Sequence, residues 1–202
     1  MAGINLNPQL VTNAGGRFHV YSEGYVQGEA LDDPAIRNSL CAGVVDPTYA
    51  NAMFGGMGIT ESLITPGTEA SAIMSVIKPA TSQANLTGFS VFNQSAALIQ
   101  TPQSPVPLAS ASMGLNFYRL GSRARIAVQL DSAVATTLQG GAVNQALYWD
   151  YTNQKLLAAP GGTAIAVKVI DINFGNSKVV SYNSGTGIAT WTNNAYTAII
   201  EI

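Results

Sequence analysis

The sequence predicts an all-β fold, either a small sandwich or a barrel, with extended arms and at most one short helix. Short apolar or alternating segments recur along the chain, and Gly, Pro or Asn separates most of them. The length of 202 residues is sufficient to bury a core without disulfides or metals. We therefore expect residues 17–202 to form one β-rich domain that follows an extended N-terminal arm, residues 1–16.

The first forty residues predict the arm, a strand and one local helix or loop. Residues 1–16 are polar and Asn-rich and end in two glycines, which indicates an extended segment. Residues 17–22 (RFHVYS) alternate in the manner of a strand. Residues 29–40 (EALDDPAIRNSL) place an Asp pair before Pro34, which predicts a short helix near residues 33–40 or, equally, a structured loop.

Strands are predicted through the middle of the chain, in the segments CAGVV, ESLIT, SAIMSVIK, TGFSVFN and AALIQT. Residues 101–107 (TPQSPVP) hold three prolines. Because proline lacks the N–H that a central strand requires, this segment is predicted to be an edge strand or a crossover. With little apolar surface of their own, residues 1–16 and 101–112 are expected to be extended and ordered chiefly by neighbouring subunits.

The C-terminal third predicts a hairpin between two further strands. Residues 163–174 (TAIAVKVIDINF) alternate along their whole length. Two further strand-like segments flank Ser184-Gly185-Thr186, where glycine can adopt the positive φ of a hairpin turn. Residues 196–202 (YTAIIEI) predict the last strand.

Composition argues against several classes of function. Only 10% of the residues are charged and the formal net charge is −2, whereas binding to nucleic acid or to an acidic membrane needs a basic surface. So few charges favour a surface that is covered in an assembly, with the neutral exterior of an extracellular β protein as the alternative. The sequence shows neither a secretory signal pattern nor an apolar run of about 18 residues, so synthesis in a cytoplasm is expected.

Catalytic and metal-binding chemistry is not expected. The chain has one histidine, His19, and one cysteine, Cys41, and no phosphate-binding loop motif. Asp171 and Asn173 share one face of a predicted strand, but two ligands are too few for a calcium site. Trp149 is interpreted as a core or interface residue rather than as a sugar-stacking platform. We therefore expect a protein that is not an enzyme and that has no cofactor.

Three arginines form the candidate site. Arg119, Arg123 and Arg125 lie within seven residues. In a strand over residues 124–130 the apolar side chains face the core, so Arg123 and Arg125 face away from it. A turn at Gly121-Ser122 would bring Arg119 beside them, at the end of a hairpin.

A subunit contact is the favoured role for these arginines, and solvated side chains are the alternative. Arginine is enriched at protein interfaces and binds carboxylates in a bidentate manner. The acidic partners expected on a neighbouring subunit are Glu23, Glu29, Asp32 and Asp33.

Parts of the sequence resemble a known family. Residues 91–130 (VFNQSAALIQTPQSPVPLASASMGLNFYRLGSRARIAVQL) and 146–157 (ALYWDYTNQKLL) resemble the capsid decoration, or cement, proteins of tailed bacteriophages. Residues 140–150 (GGAVNQALYWD) follow a pattern typical of this group, in which glycines precede an aromatic-bearing strand. Looser support comes from residues 24–33 (GYVQGEALDD) and 40–45 (LCAGVV).

The resemblance implies a virion structural protein on the outside of an icosahedral head, synthesised in the host cytoplasm. Its partners would be itself, commonly as a homotrimer, and the major capsid protein, whose lattice it stabilises, with no nucleic acid and no membrane. Members are often shorter, so residues 46–112 are a candidate insertion. Two other roles stay open. One is a tail-tube or head–tail joining β-barrel protein, and the other is a virion receptor or carbohydrate-binding module that uses Trp149, Trp191 or Tyr196.

The chemistry expected of these residues gives a first testable prediction. Purified protein should contain no stoichiometric metal and no nucleotide, because neither a ligand set nor a phosphate-binding loop is present in the sequence. Elemental analysis and chromatography of nucleotides released by denaturation check this. Recovery of either ligand at one equivalent per chain would overturn the prediction.

Overall fold

The computed structural model describes residues 24–31, 37–63, 75–92, 99–101, 104–157 and 163–202, and its predominance of strands confirms the all-β prediction. The strands are β1 (Cys41–Val45), β2 (Gly58–Ser62), β3 (Ser75–Pro79), β4 (Gly88–Val91), β5 (Ile99–Thr101), β6 (Ser104–Leu108), β7 (Gly114–Arg119), β8 (Arg125–Gln129), β9 (Tyr148–Asp150), β10 (Lys155–Leu157), β11 (Lys168–Asn183) and β12 (Ile188–Glu201). The α-helix α1 is Ser132–Leu138, and short 3₁₀ turns lie at Arg37–Ser39 and Gln83–Asn85.

Five strands close into a barrel in the order β1-β3-β2-β4-β7. β1 pairs in parallel with β3, and the other neighbours pair antiparallel. Closure gives each strand two partners and so leaves no open edge in this sheet. Residues 46–112 supply β2, β3 and β4, so the candidate insertion is an integral part of the barrel.

A second sheet has the order β11-β12-β8. β11 and β12 form one long hairpin, which turns at residues 184–187. The hairpin turn is where the sequence predicted it, but the strands that were predicted separately are continuous with the two arms of the hairpin. The alternation predicted over residues 163–174 is interrupted at Ile170, because the register with β12 shifts between Val169 and Asp171. This bulge turns Ile172 toward the same apolar core as Val169.

Two clusters of buried side chains hold the sheets together. The first joins the three-stranded sheet to β4 and to the β9–β10 hairpin, and it includes Phe89, Ile126, Trp149 and Ile200. Trp149 is only 5% exposed, and its ring lies edge-on to Phe89 with centroids 5.0 Å apart, which confirms its assignment to the core. The second cluster contains barrel side chains and inward-facing residues of the hairpin, among them Phe117, Val180 and Ala189.

Residues 24–31 form a segment, here called the strap, that connects the second sheet to the barrel. The Gln27 N–H donates to the Lys178 carbonyl on β11 at 2.9 Å, and the Gly28 N–H donates to the Ala127 carbonyl on β8 at 2.7 Å. Because β11 and β8 are opposite edges of the sheet, the strap bridges both edges. The Gly28 carbonyl accepts from the Phe92 N–H, just after β4, at 2.8 Å.

Buried polar groups fix the strap to the hairpin. Ser177 and Thr197 are fully buried, and their hydroxyl oxygens lie 2.6 Å apart. The Ser177 Oγ also accepts from the Tyr25 N–H at 3.0 Å, and Gln27 Oε1 accepts from the Val180 N–H at 2.9 Å. These bonds satisfy groups whose burial without a partner would be costly.

The α-helix found in the described part of the chain is α1, which was not predicted from the sequence, and residues 33–36 of the expected helix lie outside the described residues. The described part of residues 33–40 contains only the 3₁₀ turn at Arg37–Ser39. Asp131 caps α1, since its Oδ1 accepts from the Ala133 N–H at 3.0 Å. The β-branched residues in the helix favour a strand by propensity, and packing against the first core outweighs that preference.

β5 and β6 pair as a separate two-stranded antiparallel sheet, so the described part of the proline-rich segment lies in edge strands, one of the two predicted forms. The expectation that residues 101–112 depend chiefly on neighbouring subunits is wrong for the end of this segment, because Val106, Leu108 and Ala109 are buried within the chain. The predicted arm at residues 1–16, the strand at residues 17–22 and His19 lie outside the described residues. In the described parts of the chain no helix is long and apolar enough to span a membrane.

Substitution of Gly28 tests the importance of the strap. Gly28 has φ +83°, and a Cβ at this position would lie 2.5 Å from Gly55 backbone atoms. Gly121 has φ +87° and open space around it, so it is a matched control. Gly121→Ala should cost about 1–2 kcal/mol of unfolding free energy for the left-handed backbone alone. Gly28→Ala should cost about 1–3 kcal/mol more, because the Gly55 backbone must move.

Urea unfolding of the two variants measures this difference. Equal losses in both variants would show that the contact between Gly28 and Gly55 contributes nothing specific to stability.

Candidate subunit-contact site

The three arginines do not lie at the end of a hairpin, which corrects the sequence-based expectation. β7 ends at Arg119 and lies in the barrel between β1 and β4, whereas β8 begins at Arg125 and pairs with β12. The turn at Gly121-Ser122 exists, but it carries the chain from one sheet to the other. A glycine-containing turn indicates a change of direction and does not determine which strands pair.

Arg119 is held by an acid of its own chain. Its Nε and Nη2 donate to the two carboxylate oxygens of Glu61 at 2.7 and 2.6 Å, a bidentate pair that links β7 to β2 across β4. The guanidinium also lies 5.8 Å from the centroid of the Phe117 ring. The hydrogen bond with Arg119 is the main reason that the pKa of Glu61 is lowered, and a bond from the Ser75 hydroxyl adds to it. Arg119 therefore stabilises the barrel.

Arg125 has a weaker partner in the same chain. It stands opposite Glu201 on β12, and its Nε lies 3.6 Å from a Glu201 carboxylate oxygen. The Arg125 side chain is 41% exposed, so the pair contributes only about 0–1 kcal/mol. The neighbouring Ile126 and Val128 are buried in the first core, which confirms that the arginine side of β8 faces away from it.

Arg123 is the arginine of the three that remains available for contact with another subunit. It is exposed and adopts a left-handed backbone conformation with φ +62°. Its N–H donates to the Ile202 carbonyl at 2.6 Å, which fixes the position of the residue beside the end of β12. Its guanidinium forms no ion pair with any residue that the structure describes.

Of the four acids expected to bind these arginines, only Glu29 lies in the described part of the chain. Its backbone belongs to the strap, where its carbonyl accepts from the Ala127 N–H at 2.9 Å. The carboxyl group is partly buried, and this burial raises its pKa against the opposing effect of a hydrogen bond with the Val26 backbone. Glu29 is therefore a poor partner for a neighbouring subunit. Glu23, Asp32 and Asp33 lie outside the described residues.

Three exposed apolar side chains on the hairpin were not identified from the sequence, and they are spread along it, because Ile188 stands beside the turn whereas Ile170 lies near the start of β11. Ile170, Phe174 and Ile188 are 39%, 38% and 39% exposed, and Phe174 lies edge-on to Tyr196 with ring centroids 6.1 Å apart. Periodicity assigned Ile170 to a regular strand, but the bulge leaves it facing solvent. A local signal was present in Gly175, whose φ of +82° marks the irregular part of β11.

The two residues considered for calcium have other partners. Asp171 Oδ2 accepts from the Tyr25 hydroxyl, and Asn173 Oδ1 accepts from the Ser177 hydroxyl at 2.9 Å. Cys41 is a free, partly buried cysteine whose thiol lies 3.5 Å from the Ser39 carbonyl oxygen. Among the residues described, no group of three or more His, Cys, Asp or Glu side chains is placed to hold a metal ion.

The bond between Arg119 and Glu61 predicts a specific dependence of stability on pH. Because the folded-state pKa of Glu61 is depressed from 4.5, the stabilisation is complete well above that value and is lost as the pH falls through the folded-state pKa. Glu61→Gln should lower the free energy of unfolding at neutral pH by about 1 kcal/mol. The variant should also lose less stability on acidification than the original protein.

Urea unfolding at neutral and acidic pH checks this, with Glu201→Gln as the control because its ion pair is longer. An unchanged acid-induced loss in Glu61→Gln would contradict the assigned role of the pair.

The chain was also compared with known proteins. Neither the protein-family models, nor the curated proteins, nor the solved structures include a match to it.

Proposed function

We propose that this protein is a virion structural protein of the capsid decoration type, which attaches to the outside of an icosahedral head and stabilises the lattice of the major capsid protein. The observation that carries the proposal is the set of apolar side chains that the β11–β12 hairpin presents to solvent: Ile170, Phe174 and Ile188. Covering such side chains with another subunit is favourable, because it removes apolar area from water.

The hairpin offers these side chains from a fixed position. On its inner face the Tyr182 hydroxyl accepts from the Ala52 N–H at 3.1 Å, and Trp191 packs edge-on to Phe92 with centroids 5.8 Å apart. The barrel thus supports the part of the hairpin near its turn. A preorganised surface loses less conformational entropy on binding, which suits attachment through several modest contacts.

Low charge supports the same role. With 10% charged residues, the surface relies on neutral polar groups, and covering such a surface incurs less desolvation of ions than covering an ordinary one. The sequence resemblance to cement proteins points in the same direction. In this proposal Arg123, with a contribution from Arg125, makes a polar contact with the lattice, and Arg119 has a structural role.

The carbohydrate-binding alternative loses one of its aromatic residues. Trp149 is buried against Phe89, and its Nε1 lies 3.2 Å from Gln154 Oε1, so it cannot stack on a sugar without unfolding this region. The tail-tube or joining role stays an alternative, and the experiment below separates it from the head.

Attachment of purified protein to virus particles tests the proposal. The original protein should co-sediment with tailless heads that lack it and not with isolated tails. Phe174→Ser combined with Ile188→Ser should weaken attachment at least about tenfold, because each side chain loses apolar area for the contact. Thr190→Ala, an exposed position on the same hairpin, is the control.

Thermal melting of each variant confirms that the fold persists. Attachment to tails instead of heads, or equal attachment by the apolar double variant, would contradict the proposal.

A further inference from the structure

We propose that one end of the three-stranded sheet binds an acidic segment of a partner protein subunit, through a group of cations here called the cationic row: Arg123, Arg125 and Lys168. The inference deepens the proposed function and rests on it only for the statement that the partner belongs to a virion. It adds Lys168 to the contact and leaves out Arg119.

Strand register places these residues together. Lys168 on β11 stands opposite Glu201 on β12, and Glu201 stands opposite Arg125 on β8. Residues directly opposite each other share a face of the sheet, so the three side chains form a line across three strands. The bond from the Arg123 N–H to the Ile202 carbonyl brings the third cation to the same end of β12.

The side chains of this group carry an excess of positive charge. The register and the Arg123 N–H bond bring three cations and one carboxylate, Glu201, to this end of the sheet, so the charges of these four side chains sum to +2. Glu201 is within ion-pair distance of Arg125 alone, and neither Lys168 nor Arg123 has an ion pair with another described residue. Both are exposed. In a chain with a net charge of −2 this is a local reversal of sign, which favours an anionic partner.

The spacing suits carboxylates on an extended peptide. Neighbouring strands lie roughly 4.8 Å apart, so Lys168 and Arg125 are about 10 Å apart at the backbone. Two acids that are two or three residues apart in an extended segment span a similar distance. A nucleic acid fits less well, because phosphate binding needs a longer basic surface and this protein is acidic overall.

Binding of fluorescein-labelled poly-L-glutamate tests the proposal without the unidentified partner. The original protein should bind it, and added salt should weaken the binding. Arg123→Gln and Lys168→Gln should each reduce affinity about two- to fivefold, and the double variant about tenfold, as expected for exposed charges. Lys178→Gln is the matched control, since it removes an exposed cation from β11 outside the row.

Several results would overturn the inference. They are failure of the original protein to bind, equal binding by the double variant, or tighter binding to poly-uridylate than to poly-glutamate. The inference would also fail if only the double variant Asp32→Asn with Asp33→Asn bound poly-glutamate. That result would show that these two acids neutralise the cationic row in the original protein. If the original protein bound poly-glutamate but did not attach to heads, the result would count against the proposed function and not against the cationic row.

Discussion

The close approach of two backbones at Gly28 and Gly55 is the constraint on which the described fold depends. At this point the strap passes so near the barrel that a Cβ on Gly28 would lie 2.5 Å from Gly55 backbone atoms. The backbone of Gly28 also forms hydrogen bonds with Ala127 of the second sheet and with Phe92, which follows β4 of the barrel. The relative position of the two sheets is therefore fixed by main-chain hydrogen bonds, which do not depend on the rotamers of long side chains.

The arginines of this fold divide into those held by acids of the same chain and those available for contact with another protein. Arg119 is tied to Glu61 by two short hydrogen bonds, so its loss would act on stability. Arg123 is exposed, and only its backbone is fixed, so its loss would act on contacts. The apolar side chains of the hairpin follow the same division: those facing the barrel belong to the second core, and Phe174 faces solvent.

Local patterns predicted the local features of the fold. The hairpin turn at residues 184–187, the core position of Trp149 and the buried face of β8 followed from alternation and turn residues. Features that depend on distant residues could not be predicted this way. Three such features join residues that are far apart in sequence: the pairing of β8 with β12, the strap across both edges of the second sheet, and the bond between Arg119 and Glu61. α1 was missed because its β-branched residues favour strands locally.

The proposed function is tested most directly by a cryo-EM reconstruction of tailed-phage particles assembled in the presence of this chain. The proposed function predicts density for the five-stranded barrel on the outer face of the head, with the β11–β12 hairpin and Arg123 against the capsid lattice or a second copy. Density for the barrel within the tail, or a head in which the hairpin and Arg123 both face solvent, would contradict it.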